Sequence, residues 1–398
     1  MKLRNLPRAA WNMAGVAGRR AAHWLSAQER AIRKIGRRAN RSIGGIADPG
    51  ASLEGLGAAT RRAGIRFARR AERFEEHVLA PLREERMVLS RIRDAASGSG
   101  PIIVGPWVSE VGYEVLYWLP FLRWFQDRYG VSPDRVVAVS RGGVASWYSR
   151  IASRYVDVLD VYTPDEFARR ADARRSAGDQ KQLEPSEWER EIVDDVRRRT
   201  GADAAHVLHP GLMYRLFRNV WHGDRGLDFL FTHTAYGRNL PPRLPEDEWL
   251  PETFAAVKFY TGPALPDTPQ TRSQLRSAVA SLAERMPVVS LDTGLGLDEH
   301  RDYLFDGVPG VLDLRDRMTP ATNLAVQSRV MARASLYAGT CGSLAWLAPM
   351  MGVPTVAVYA DDRYLASHLY AARYVYRRMK AARFSVVDLQ ALAHVTAA

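Results

Sequence analysis

The stretch from Ala334 to Tyr359 constrains the fold of this chain most. Ala334 to Ala338 reads as a buried strand and Gly339-Thr340-Cys341-Gly342-Ser343 as a loop of small residues. Leu344 to Met351 reads as an apolar helix, Gly352-Val353-Pro354 as its stop, and Thr355 to Tyr359 as a second buried strand. Small residues let backbone N–H groups approach an anion, and a following helix N-terminus adds partial positive charge at the same point. Ligands of open α/β sheets sit at the carboxyl ends of the strands. Gly339, Thr340, Cys341, Gly342 and Ser343 are therefore expected to hold a phosphate.

The rest of the chain repeats this alternation twice. Strands are predicted at 102–104, 135–139, 156–161 and 205–208, with helices at 115–129, 144–153, 164–177, 186–199 and 211–220. A proline-rich segment follows at 238–253, incompatible with regular structure and placed as a hinge. A second series has strands at 254–260, 287–291, 310–314 and 384–387 and helices at 271–285 and 360–382. A further helix is expected from Thr319 as N-cap and Pro320 as first helical residue to Arg333. Alternating strands and helices imply mainly parallel sheets. The expected domains are a helical extension over 1–97, a first α/β domain over 98–237, the hinge, and a second α/β domain over 254–398.

The net charge of +12 lies almost wholly in the first 45 residues, which hold 11 Lys/Arg and one acid, Glu29. On a helical wheel Ala21, Trp24, Leu25, Gln28, Ile32, Ile35 and Ala39 share one face. Arg19, Arg20, Arg30, Arg33, Lys34, Arg37, Arg38 and Arg41 oppose them. A basic amphipathic helix with a Trp in its apolar stripe suits an anionic membrane surface. The plainer reading is a helix packed on the body with solvated charges. No base-reading motif accompanies the arm, so nucleic acid is not an expected partner. No run of 18 uncharged apolar residues is present. The one cysteine, Cys341, excludes an internal disulfide and suits a reducing cytoplasm.

A second motif, Gly105-Pro106-Trp107-Val108-Ser109-Glu110-Val111-Gly112-Tyr113-Glu114, follows the first strand and opens a helix. It lacks the Gly-x-Gly-x-x-Gly of dinucleotide folds, so no nicotinamide cofactor is expected. Glu110 and Glu114 are four apart, which on a helix places both carboxylates on one face. Either is a candidate general base for an acceptor hydroxyl, Glu110 first because it is nearer the loop; the plain alternative is a pair of acids favoured by the helix dipole. Lys258, one of only 5 lysines beside 51 arginines, is placed to neutralise a leaving diphosphate, or is a solvated edge lysine. Arg141 in Ser140-Arg141-Gly142-Gly143 has the same candidacy. His233, Arg238 and Asn323 (with Gln327 on the same helix face) are candidate cleft residues, and Asp292 and Thr293 candidate contacts to ribose or base. Cys341 at a helix N-terminus is a candidate nucleophile, disfavoured because no histidine is near in sequence.

Two such halves joined by a proline-rich hinge resemble GT-B glycosyltransferases. The segment Gly342 to Pro354 is similar to the donor loop of heptosyltransferases, Asp-Ser/Thr-Gly-x-x-His followed by a small apolar helix and Gly-x-Pro. Gly342, Gly352 and Pro354 match; Thr340 stands at the Asp position, Ala345 at the His position, and the helix is one residue longer. The motif at 105–114 is similar to one in uncharacterised bacterial surface-polysaccharide proteins of glycosyltransferase type. The resemblance implies two Rossmann-like domains facing a cleft, a nucleotide-sugar donor on the second, and a glycan or lipid-linked acceptor on the first. Retaining GT-B enzymes often carry two glutamates eight apart in the donor domain, whereas no glutamate follows Glu299 here, which favours inversion. No Asp-x-Asp follows a strand, so no catalytic metal or other cofactor is expected. The expected function is an inverting, metal-independent glycosyltransferase at the cytoplasmic membrane face. A non-catalytic scaffold of the same fold in surface-polysaccharide assembly is the alternative, and a sugar-nucleotide epimerase a third.

Overall fold

A computed structural model describes residues 80–391 apart from 179–180, 239–240, 242–243, 296–299 and 364, together with 69, 72, 75 and 79. The basic arm over 19–41 lies outside the described residues. The chain divides into two units, Met1–Glu84 and Glu85–Ala398. In the first, Arg83 and Glu75 form an ion pair at 2.6 Å.

The second unit holds two sheets, both entirely parallel. The first contains β1 (Ile102–Val104), β2 (Val136–Ser140), β3 (Arg154–Asp157) and β4 (His206–Leu208) in the order β3-β2-β1-β4. The second contains β5 (Ala255–Lys258), β6 (Val288–Ser290), β7 (Val311–Asp313), β8 (Leu336–Thr340), β9 (Thr355–Tyr359) and β10 (Phe384–Asp388) in the order β10-β9-β8-β5-β6-β7. The inner strands β1, β2, β5 and β6 are buried on both faces but for Lys258 at the end of β5, as parallel sheets covered by helices require, while the edge strands β3, β4 and β7 are partly exposed. Val137, Val139, Ile103 and Val158 anchor one core with Phe167, Trp188 and Ile192. Val257, Phe259, Val288 and Leu275 anchor the other. These are two Rossmann-like halves, and each sheet reverses its strand order once, between β1 and β4 and between β5 and β8. Such reversal points open a crevice at the carboxyl ends of the strands.

Several element boundaries differ from expectation. The helix expected over 115–129 starts at Val111 as α1 (Val111–Tyr113), widens into a π-helical turn (Glu114–Trp118), and continues as α2 (Leu119–Tyr129). Pro120 has no N–H to return to Leu116 O, which an α-helix would require. Leu116 O instead accepts from the Tyr236 hydroxyl at 2.9 Å. The strand expected at 156–161 ends at Asp157, whose carboxylate accepts from Leu159 N at 2.9 Å and caps a 3-10 turn. The helix expected over 144–153 is a single turn, Ala145–Tyr148. The helix expected from Thr319 begins at Asn323 and is α3 (Asn323–Arg333). Thr319 N instead donates to Thr322 Oγ1 at 3.0 Å, closing a turn before the helix.

Candidate functional site

The two sequence motifs meet. The loop after β1 and the loop after β8 come together at Gly112 and Ser343: a Cβ added to Gly112 would lie 3.0 Å from Ser343 N. Around this contact lies a cleft of about 780 Å³ lined from both halves, in the size range of ligand pockets.

The first loop is held by side chains rather than by a helix. Buried Gln182 donates to Pro106 O at 2.8 Å and accepts from Val108 N at 3.2 Å. Arg174 donates to Val108 O and Arg141 to Ser109 O, each at 2.9 Å. With these carbonyls fixed, Glu110 stands at the cleft wall in extended conformation (φ −63°, ψ 135°) just before α1, exposed to solvent. Because Glu110 precedes the helix, it does not share a helical face with Glu114, contrary to expectation. Glu114 is fully buried and outside the cleft lining. Its Oε1 accepts from Ser140 Oγ and Tyr148 Oη, both at 2.6 Å, and its Oε2 has no partner among the described residues. Burial pushes its carboxyl up to about 7.

On the donor side, Lys258 and Thr293 line the cleft, but Lys258 is not an open cation. Its Nζ lies 2.9 Å from Asp302 and 3.3 Å from Leu291 O. Asp302 also accepts from Thr293 N and Oγ1, at 2.7 and 3.0 Å. Asp292 faces away: it accepts from Ser290 Oγ at 2.6 Å and approaches Arg315 at 3.4 Å, and it is absent from the lining. Gly339 is also not a lining residue; a Cβ there would strike Lys258 O and Tyr337 Oη at 2.4 Å, so its role is close packing of β8 against β5. Thr340, Cys341, Gly342 and Ser343 do line the cleft. The Thr340 hydroxyl accepts from Tyr260 N at 2.8 Å and donates to Tyr260 O at 3.0 Å, tying the two loop bases together. Burial pushes the Cys341 thiol up to about 12, the opposite of what a nucleophile requires. Cys341 N donates to Val358 O at 2.8 Å. Among the described residues no backbone carbonyl accepts from the N–H of Gly342 or Ser343. Gly342 has φ 140° and a Cβ there would meet Tyr260 Oη at 2.6 Å; Ser343 has φ 40°. The following helix, α4 (Ser343–Leu347), is only five residues long and passes into a 3-10 turn before Gly352, shorter than the apolar helix expected.

The floor is Arg141, Asn323 and Gln327. Arg141 is 7% exposed. Gly142 and Gly143, both at positive φ, let its loop press on α3 and the turn before it, where a Cβ at Gly143 would strike Ala321 O at 2.8 Å. Gln327 Nε2 donates to Asn323 O at 3.0 Å, while its buried Oε1 has no partner among the described residues. Two further candidates are elsewhere. His233 is buried against Trp124 with Nδ1 2.9 Å from Phe229 O, and Arg238 is exposed; neither lines the cleft.

One wall was not anticipated from sequence. Helix α5 (Ala366–Met379) carries His368 onto the first half, where Nε2 lies 2.9 Å from Tyr113 Oη and Nδ1 2.7 Å from Tyr117 Oη. Burial, aided by nearby Lys181, lowers this imidazole to about 4, so it is neutral at pH 7 and one tyrosine donates to it while the other accepts. Lys181 Nζ stands 5.5 Å from the rings of both Tyr113 and Trp221. Among the described residues no cluster of three or more His, Cys, Asp or Glu is arranged to hold a metal ion.

No known sequence family matches the chain, and no curated protein is similar to it. Solved structures are similar in fold. A family 9 glycosyltransferase from Veillonella parvula matches at 13% identity over 75% of this chain and 88% of that one, with a TM-score of 0.42. The E. coli ADP-heptose LPS heptosyltransferase II matches at 13% identity over 72% and 90%, with a TM-score of 0.39. The dodecameric iron-containing glycosyltransferase TibC of enterotoxigenic E. coli matches at 13% identity and a TM-score of 0.36, over 65% of this chain and 58% of TibC.

Proposed function

We propose that the protein is an inverting, metal-independent glycosyltransferase that moves a sugar from a nucleotide-sugar to a glycan or lipid-linked acceptor. The observation that carries this reading is the meeting of two loops, each from the strand-order reversal of its own sheet, across one cleft. The diphosphate is read at the Gly342 and Ser343 N–H groups, with the nucleoside toward Thr293 and Asn323. Glu110 takes the proton of the acceptor hydroxyl as that oxygen attacks the anomeric carbon. The bond from that carbon to the diphosphate oxygen breaks on the opposite side, and the electron pair leaves with the nucleoside diphosphate. Arg141, a buried cation on the cleft floor, offsets the charge that develops there.

A non-catalytic scaffold is favoured by one observation, the Lys258–Asp302 pair, which cancels the lysine that would otherwise meet the leaving group. Thermal-shift measurements with UDP-, GDP-, ADP-, CMP- and dTDP-sugars identify the donor, because a bound ligand stabilises by mass action. With that donor, Glu110→Gln is expected to lower turnover roughly 10²–10⁴-fold with donor affinity kept. Full turnover in this variant would remove Glu110 as the base.

We also read the protein as peripheral to the cytoplasmic membrane face, held by the basic arm. Among the described residues no helix is long and apolar enough to cross a membrane.

A further inference from the structure

Helix α5 carries an outward stripe that the cleft does not use. Tyr370, Arg373, Tyr374 and Arg377 follow i, i+3, i+4, i+7 spacing and, with Arg378, occupy a sector of about 140°. The opposite side, Ala371, Ala372, Val375 and Tyr376, is buried. Tyr370 is 66% exposed and Tyr374 37%. The Tyr374 ring stacks on Phe231 with centroids 4.4 Å apart, which extends the aromatic surface onto the first half. Arg373, Arg377 and Arg378 are exposed. Among the described residues none of their side chains has an ion pair or hydrogen bond, whereas Arg363, nearby in sequence, is held by Asp361 at 2.5 Å.

We propose that this face of α5 lies on an anionic phospholipid surface, with Tyr370 and Tyr374 at headgroup level and the arginines on lipid phosphates. Single exposed aromatics are ordinary on protein surfaces. Two tyrosines interleaved with three exposed arginines on one helical face combine the amphipathic ring and the positive charge that an acidic bilayer interface selects. A single-stranded nucleic acid would instead require a groove that tracks its backbone. The pattern at 19–41 calls for the same partner from a separate segment. The inference extends the membrane part of the proposed function from the arm to the body and is independent of glycosyl transfer.

The test uses the full chain. Its single cysteine, Cys341, is buried, so an environment-sensitive fluorophore attaches selectively to Tyr370→Cys. Vesicles of phosphatidylglycerol and phosphatidylcholine are expected to shift the label to the blue at low salt, and brominated acyl chains to quench it. Pure phosphatidylcholine and high salt are expected to leave it unchanged, as is the same label on Leu312→Cys at the exposed strand β7. Arg373→Gln with Arg377→Gln should weaken vesicle affinity about 10–30-fold at low salt, with nucleotide-induced thermal shifts intact. Vesicle binding that leaves the label at position 370 silent would overturn the proposal, as would no vesicle binding at all. So would a shift without lipid that follows dimer mass in light scattering, or an equal response to single-stranded RNA.

Discussion

Glu114 gives a stability prediction whose sign and size come from its surroundings. The carboxyl is fully buried and held near 7 against 4.5 for the free group, with desolvation the largest cause. Between those pH values the folded protein retains a proton that the unfolded chain releases. The contribution of Glu114 to stability is therefore fully present below pH 4.5 and is lost as pH rises through about 7, by about 3 kcal/mol in all. In Glu114→Gln the amide oxygen still accepts from Ser140 and Tyr148, while the NH₂ takes the place of Oε2, which has no partner among the described residues. An unpaired buried NH₂ costs about 1–3 kcal/mol at every pH. At pH 5 the proton that Glu114 retains on Oε2 is an equally unpaired donor, so the variant should be close to the parent or slightly less stable there, and more stable than the parent at pH 8.5. Asp157, whose carboxyl is also raised mainly by burial, is present in both chains and largely cancels in the comparison. Urea midpoints followed by tryptophan fluorescence from pH 5 to 8.5 measure this difference. A gap between the two chains that stays constant over that range would refute the reasoning, since it would mean that Glu114 does not titrate there.

Two other outcomes concern the cleft and the arm. Gly342→Asp puts a side chain at φ 140°, where L residues are strained, with its Cβ 2.6 Å from Tyr260 Oη and a carboxylate at the expected diphosphate position. Calorimetry should show nucleotide binding lost while the circular dichroism stays native, and unchanged affinity would move the donor site elsewhere. Removing residues 1–45 takes away 11 of the 56 basic residues, each contributing about 1 kcal/mol near an anionic surface. Co-sedimentation with phosphatidylglycerol vesicles should weaken steeply; binding as strong as that of the full chain would show that the arm does not carry the membrane contact.

What the sequence made legible was local. The apolar β strands and the small residues at 339–343 declare themselves within a window of a few residues, and both expected loops do reach one cleft. What it concealed depends on partners far along the chain or on a single backbone choice. The extended ψ of Glu110 separates it from Glu114, so identical residues four apart take an open wall and a sealed core. Lys258 looked like an open cation because its counter-ion, Asp302, lies 44 residues later, beyond any spacing rule. His368 meets Tyr113 across 255 residues, and nothing near either one in sequence marks the contact. Yet a trace of it was present. Pro120 inside an aromatic helix meant that one carbonyl of the preceding turn had to find another donor, and the wide turn that follows from this spans Glu114–Trp118, directly after Tyr113 and including Tyr117. A proline in an apolar helix that must stay buried is thus a signal for a bulge, and a bulge beside a cleft turns side chains toward places that regular helical periodicity does not reach.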